Sequence, residues 1–304
     1  MDRLAFTLHG VFFSSRGLRA GWRALLYLLL LIAFSIVPGA PVDAAIEQHR
    51  GNVLWSLAGR LVAVVIVFAA ARIMARFVDG RPVTDFGLAR QGLGPRLAAG
   101  LLSGFLSLSL LLLLIRAAGC FSIHGFDLHG APAIARYTLQ YTIMFILVAL
   151  FEELLTRGYL LFVLSEGMGF WGAAVLLAAL FAAGHLRNAG ENKFGIANAM
   201  AIAVFLAWTV RRTGSLWWAI GYHMTWDWAE SFFYGVPDSG IVSRGHLLGT
   251  SLTGPSWLSG GSAGPEGSVF VLLVIAVLAV SVLMIFPATP PREMQRSAPA
   301  WNPR

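Results

Sequence analysis

Eight runs of apolar residues dominate the chain, centred on 24–40, 54–75, 97–115, 134–162, 171–186, 195–210, 216–234 and 268–286, each bounded by glycine, proline or charge clusters. Several approach the roughly 20 apolar residues needed to cross a hydrocarbon core of about 30 Å, so they predict spanning helices and not the buried helices of a soluble domain. The expected fold is all-α, a polytopic membrane helix bundle with about eight transmembrane helices. Arg16, Arg19 and Arg23 precede the first run as they would in a secretory signal. The apolar segment ends later than the roughly 15–30 residues of such a signal, so it is expected to remain as an uncleaved anchor.

Between the last two runs, residues 236–266 are rich in Gly, Ser and Pro and lack a periodic apolar pattern. They are expected to form a flexible cap or a disordered loop without chemistry of its own. No internal repeat is visible, which weighs against a transporter built from duplicated halves.

Composition narrows the class. Hydrophobic residues make up 57% of the 304 positions and charged residues 12%, which excludes a water-soluble globular domain of this size. The single cysteine, Cys120, excludes an intramolecular disulfide framework and a cysteine-based zinc site, and reads as a small apolar residue at a helix end. The net charge of +7 arises almost wholly from arginine, Lys193 being the only lysine. In a soluble protein this excess would suggest nucleic acid; here the arginines sit in short loops, so no nucleic-acid partner is expected.

Their distribution predicts orientation. Arg3, Arg16, Arg19 and Arg23 precede the first run, Arg76, Arg81, Arg90 and Arg96 separate the second from the third, Arg211 and Arg212 follow the sixth, and Arg292, Arg296 and Arg304 follow the eighth. The opposite side holds Arg50, Arg187, Lys193 and Arg244 mixed with acids such as Asp43, Glu47, Asp127 and Asp238. The positive-inside rule then places both termini in the cytoplasm. A chain so rich in arginine, alanine and glycine also suggests a GC-rich bacterial genome, hence a bacterial inner membrane.

Ionisable residues inside apolar runs cost a few kcal/mol each on insertion scales, so each is a functional hypothesis. The fourth run contains Glu152, Glu153 and Arg157; the fifth ends with Phe181 and His185 one turn apart; the seventh carries His223 and Asp227 at i and i+4. Glu153 and Arg157 have the favoured spacing for an ion pair, whereas Glu152 lies about 100° around the helix and is free to face a cavity. A carboxylate and two imidazoles can activate water, orient it and stabilise an oxyanion. The small residues Ala182, Gly184 and Gly221 would let helices pack closely around such a site. Trp217 and Trp218, at a helix start, read as interfacial anchors, and Asn188 and Asn192 as caps.

Glu152-Glu153-Leu-Leu-Thr-Arg157, Phe181-Ala-Ala-Gly-His185 and His223-Met-Thr-Trp-Asp227, in this order within about 75 residues, resemble the three motifs of the CAAX-protease and bacteriocin-processing family. This family is also called Abi or type II CAAX prenyl endopeptidase. Arg212-Thr-Gly-Ser-Leu-Trp217 is similar to its usual lead-in to the third motif. One departure is Asp227, where many members carry Asn. The resemblance implies an intramembrane endopeptidase acting on a membrane-associated peptide or protein, with the lipid bilayer as its setting. It also implies that Glu152 and His185 activate the attacking water, that His223 and Asp227 stabilise the oxyanion, and that Phe181 shapes the pocket.

The same four residues have also been read as metal ligands, and Glu152, His185, His223 and Asp227 would make an acceptable zinc shell, so no cofactor and zinc both stand open. The corresponding organisation is a three-helix membrane region over 1–132, a catalytic helix core over 133–235, and a loop, last transmembrane helix and tail over 236–304. The competing readings of the same residues are a proton or ion relay and a non-catalytic immunity or scaffold protein of the same fold.

Overall fold

The computed structural model describes residues 10–14, 17–49 and 51–286. Arg3, Arg16, Arg50, Arg292, Arg296 and Arg304 lie outside the described residues. Each of the eight apolar runs holds a helix. They are α1 (Ala20–Gln48), α2 (Val53–Val78), α3 (Leu93–Ala117), α4 (Ala131–Arg157), α5 (Tyr159–Met168), α6 (Phe170–His185), α7 (Lys193–Thr213), α8 (Trp217–Trp228) and α9 (Phe270–Ile285). The ninth arises because the fourth run is broken. At Gly158 the backbone turns to φ −79°, ψ −128°, where a Cβ would run into the carbonyl of Leu154, so α4 stops at Arg157 and α5 departs in a new direction.

Four of these helices, α1, α2, α3 and α7, are long and apolar enough to cross a membrane, and α6 and α9 are shorter apolar helices. Their outward faces are as apolar as their packed ones: Leu25, Leu29 and Ile32 on α1, Leu102, Leu106 and Leu113 on α3, and Leu272, Val280 and Leu283 on α9 are all exposed. A surface of that kind is stable only in lipid, and the protein is an integral membrane protein.

Local chemistry fixes the helix ends. Asn52 caps α2 by accepting from Leu54 N at 2.9 Å, and Asn192 caps α7 by accepting from Phe194 N and Gly195 N. Asn188 has a different task, donating from Nδ2 to Ser239 O at 2.9 Å. Pro38 removes a backbone donor inside α1, which widens into a π-turn over Ser35–Gly39.

The helix ends gather into two rims. At one, Arg23 at the start of α1 bonds Asp79 after α2 at 2.5 Å and also pairs with Glu166 of α5, while Arg212 at the end of α7 donates to Phe286 O after α9 at 2.8 Å. Leu216 N, ahead of α8, donates to Gly87 O at the same end. At the other rim, strand β1 (Phe121–Phe126) pairs antiparallel with β2 (Leu248–Leu252), Phe121 opposite Leu252. His246 Nε2 meets Asp127 Oδ2 there at 2.9 Å.

That second rim corrects the expectation for 236–266. The segment is an ordered cover, its glycines serving close approach: a Cβ on Gly240, at φ 80°, would lie 2.6 Å from Glu191 N. Trp218 is also corrected. It is fully buried, packing on Phe205 and Tyr222, and is no interfacial anchor. Trp217 donates from Nε1 to Ala89 O at 2.9 Å.

The site is held by the contact of α8 with α3. A Cβ on Gly221 would lie 2.6 Å from Leu97 O and 2.9 Å from Leu101 N, and Thr225 Oγ1 donates to Leu101 O at 2.7 Å. Absent side chains at this crossing let the two backbones meet, which fixes where α8 presents its polar face.

Candidate active site

Glu152 and Glu153 leave α4 on different faces. Glu153 is fully buried, and one oxygen, Oε1, receives both Arg157 and His223 Nδ1, the latter at 2.8 Å. Arg157 lies over the Phe181 ring at 5.2 Å and reaches Ala203 O at 3.4 Å, tying α4 to α6 and α7. The Glu152 side chain, by contrast, is 26% exposed and borders a cavity of about 990 Å³.

His185 ends α6. Its Nδ1 donates to Phe181 O, one turn back, at 2.9 Å, which leaves Nε2 as the available ring atom. His223 and Asp227 sit one turn apart on α8. With Nδ1 of His223 committed to an acceptor-only carboxylate, Nε2 faces Glu152 Oε2 at 3.6 Å and Asp227 Oδ2 at 3.4 Å. Phe181 packs on both imidazoles, at ring separations of 4.7 Å and 6.3 Å. Glu152, His185, His223, Asp227 and Phe181 all line the one cavity, while Glu153 and Arg157 stand behind it. Ala182 is buried, and a Cβ on Gly184 would meet nothing within 4 Å.

Of the four residues that would ligate zinc, His223 Nε2 stands 3.6 Å from Glu152 Oε2 and 3.4 Å from Asp227 Oδ2, but the four donors do not gather: among the described residues, the group of His, Cys, Asp or Glu whose ligand atoms all lie within 4.8 Å of one another is a different one, Glu230, Asp238 and Glu266. The two His223 spacings are those of a loosely hydrogen-bonded acid and base that a water could bridge.

A second group of acids went unread in the sequence. Among the described residues, Glu230, Asp238 and Glu266 bring their carboxylate oxygens within 4.8 Å of one another. Glu230 follows α8 in a π-turn, and Asp238 and Glu266 flank the cover segment. Burial, followed by the charges of Asp227 and Glu266, pushes the Asp238 carboxyl well above the usual carboxylate range; burial also raises Glu266. The available signal was Glu230 itself, an acid inside the apolar run 216–234.

Two carboxylates and two imidazoles thus converge on one cavity of a helical membrane protein. Residues 134–229 match the family model described as type II CAAX prenyl endopeptidase Rce1-like, a stretch that contains all three motifs. The matched stretch is similar to the family that those motifs resemble, and it covers about a third of the chain. No curated protein and no solved structure matches the chain.

Proposed function

We propose that the protein is an intramembrane endopeptidase that hydrolyses a peptide bond of a membrane-associated protein or peptide. The observation that carries this reading is the convergence of Glu152, His185, His223 and Asp227 on a single cavity of about 990 Å³, large enough for several residues of an extended substrate. Glu152 is the general base. It stands against the free face of His223 and, with His185 Nε2, holds the attacking water on the cavity side. Proton transfer from that water to Glu152 generates the nucleophile, and the same proton passes to the leaving amine as the C–N bond breaks.

His223 Nε2 and Asp227 receive the developing oxyanion, provided each carries a proton, since an ionised carboxylate cannot donate. Glu153 is a positioning residue: it fixes the His223 ring through Nδ1 and balances Arg157. Glu152, His185, His223 and Asp227 are the residues that would have to draw together to hold a zinc ion, which would supply Lewis-acid polarisation of the carbonyl and of the water.

The setting we propose is eight crossings of a bacterial inner membrane with both termini cytoplasmic, α4 and α5 together forming one transit. The arginine-bearing rim, with Arg23, Arg81, Arg211 and Arg212, then faces the cytoplasm, and the strand-bearing rim faces outward. The catalytic core is 133–235, with 1–132 and 236–304 as its surround. Purified protein reconstituted in liposomes should cleave a membrane-tethered peptide, and Glu152→Gln should not; cleavage that persists in Glu152→Gln would overturn the assignment.

A further inference from the structure

Glu230 is fully buried, and neither of its carboxylate oxygens has a hydrogen-bond partner. A buried carboxylate left without any donor is costly, and nothing in the site described above uses it. It is aimed at two more acids, Asp238 and Glu266, with all three contributing an oxygen to a cluster spanning no more than 4.8 Å. None of the ion pairs among the described residues includes any of the three.

The surroundings of the other two acids are built to present them. Glu266 accepts from Trp226 Nε1 at 3.1 Å on one oxygen, and from Ser239 N at 3.1 Å and Ser239 Oγ at 2.6 Å on the other. Asp238 accepts from Ser231 Oγ at 3.0 Å. Each of these partners is a donor, which orients the two carboxyl groups and leaves their remaining lone pairs open to a further ligand. Ser239 is held at φ 43°, the sole positive φ outside glycine among the described residues, and that conformation turns both its donors onto Glu266.

We infer that Glu230, Asp238 and Glu266 form a binding site for a hard divalent cation of calcium size, which pins both ends of the cover segment 236–266 to the end of α8. Three carboxylates without nitrogen or sulfur donors select hard ions, and oxygens that all lie within 4.8 Å of one another can reach one ion at the Ca²⁺–oxygen distance of about 2.3–2.6 Å, in the flexible geometry that Ca²⁺ accepts and Mg²⁺ does not. The cation supplies the partner that the Glu230 carboxyl lacks. It also crosslinks the chain at 230, 238 and 266, so α8, which carries His223 and Asp227, is braced from the cover side. The site stands whether or not the peptidase reading holds.

The test uses the full chain purified in detergent and stripped with EDTA. CaCl2 at a tenfold excess over its Kd should raise Tm by roughly 3–6 °C. Terbium luminescence sensitised through Trp226 should saturate and be displaced by Ca²⁺. Glu230→Gln should abolish both responses, whereas Glu152→Gln should keep them, which separates this site from the histidine-bearing one. If Glu230→Gln does not fold, Glu266→Gln and Asp238→Asn serve for the same titrations. A wild type indifferent to CaCl2, a response that survives in all three cluster variants, or one lost in Glu152→Gln overturns the inference. An equal response to MgCl2 overturns the calcium-size assignment.

Discussion

His223 Nδ1 lies 2.8 Å from Glu153 Oε1, the same oxygen that pairs with Arg157, so one buried carboxylate serves a charge on its own helix and an imidazole on another. Removing one member of a buried pair strands the other, at about 3–5 kcal/mol. Glu153→Gln and Arg157→Ala should each lower thermal stability in detergent. Glu153→Ala with Arg157→Ala should recover part of the loss, seen as non-additivity in a double-mutant cycle. Strict additivity would mean the pair does not act as a unit.

Glu152 has the opposite profile. Its side chain borders the cavity and its loss strands no charge of its own helix. Glu152→Gln keeps the shape and removes the base, so turnover of a reconstituted peptide should fall at least about 100-fold, a general base contributing roughly 10²–10⁴. Tm should stay close to wild type. A variant that unfolds while Glu153→Gln remains stable and inactive would reverse the two roles.

How much of this was legible depended on whether the signal was local. The i, i+4 spacings of Glu153 with Arg157 and His223 with Asp227, and the one-residue offset of Glu152, are helix geometry and could be read directly. The contact of His223 with Glu153 joins residues 70 apart, and no periodicity announces it. The same holds for the pairing of Phe121 with Leu252 and for Ser239 reaching Glu266 across 27 positions. The Gly-rich composition of 236–266 suggested mobility, yet its glycines allow backbones to touch, as at Gly240 against Glu191. Trp218 misled because a tryptophan at a helix start is an anchor only when lipid headgroups, not Phe205 and Tyr222, are beside it.

Asp227 separates the two chemistries. In metal-independent hydrolysis it must donate, and an amide does so without needing a proton, so Asp227→Asn should retain or raise peptide turnover. That is the expected result. Loss of most activity on this change, with stoichiometric zinc in the active wild type by elemental analysis, would assign Asp227 as a ligand instead.

Topology can be tested directly. Reporter fusions at residue 125, in the β1 strand of the second rim, and after residue 286, beyond α9, should fall on opposite sides of the membrane, with the latter cytoplasmic. The same side for both would remove one crossing from the proposed eight.

The final prediction concerns Gly221, which touches neither substrate cavity nor charge. A Cβ there would lie 2.6 Å from Leu97 O and 2.9 Å from Leu101 N, backbone atoms that cannot swing aside as a side chain would. Gly221→Ala must therefore push α8 away from α3, an overpacking cost of about 1–3 kcal/mol. His223 is two residues further along, and its contact with Glu153 depends on that crossing, so turnover should fall together with Tm. Gly184→Ala provides the contrast. Its Cβ would meet nothing within 4 Å, and replacing glycine in a helix gains roughly 0.5–1 kcal/mol, so Tm should hold or rise. Thermal unfolding of the two variants in the same detergent measures the difference; equal stabilities would mean that the α3–α8 contact does not set the position of the site.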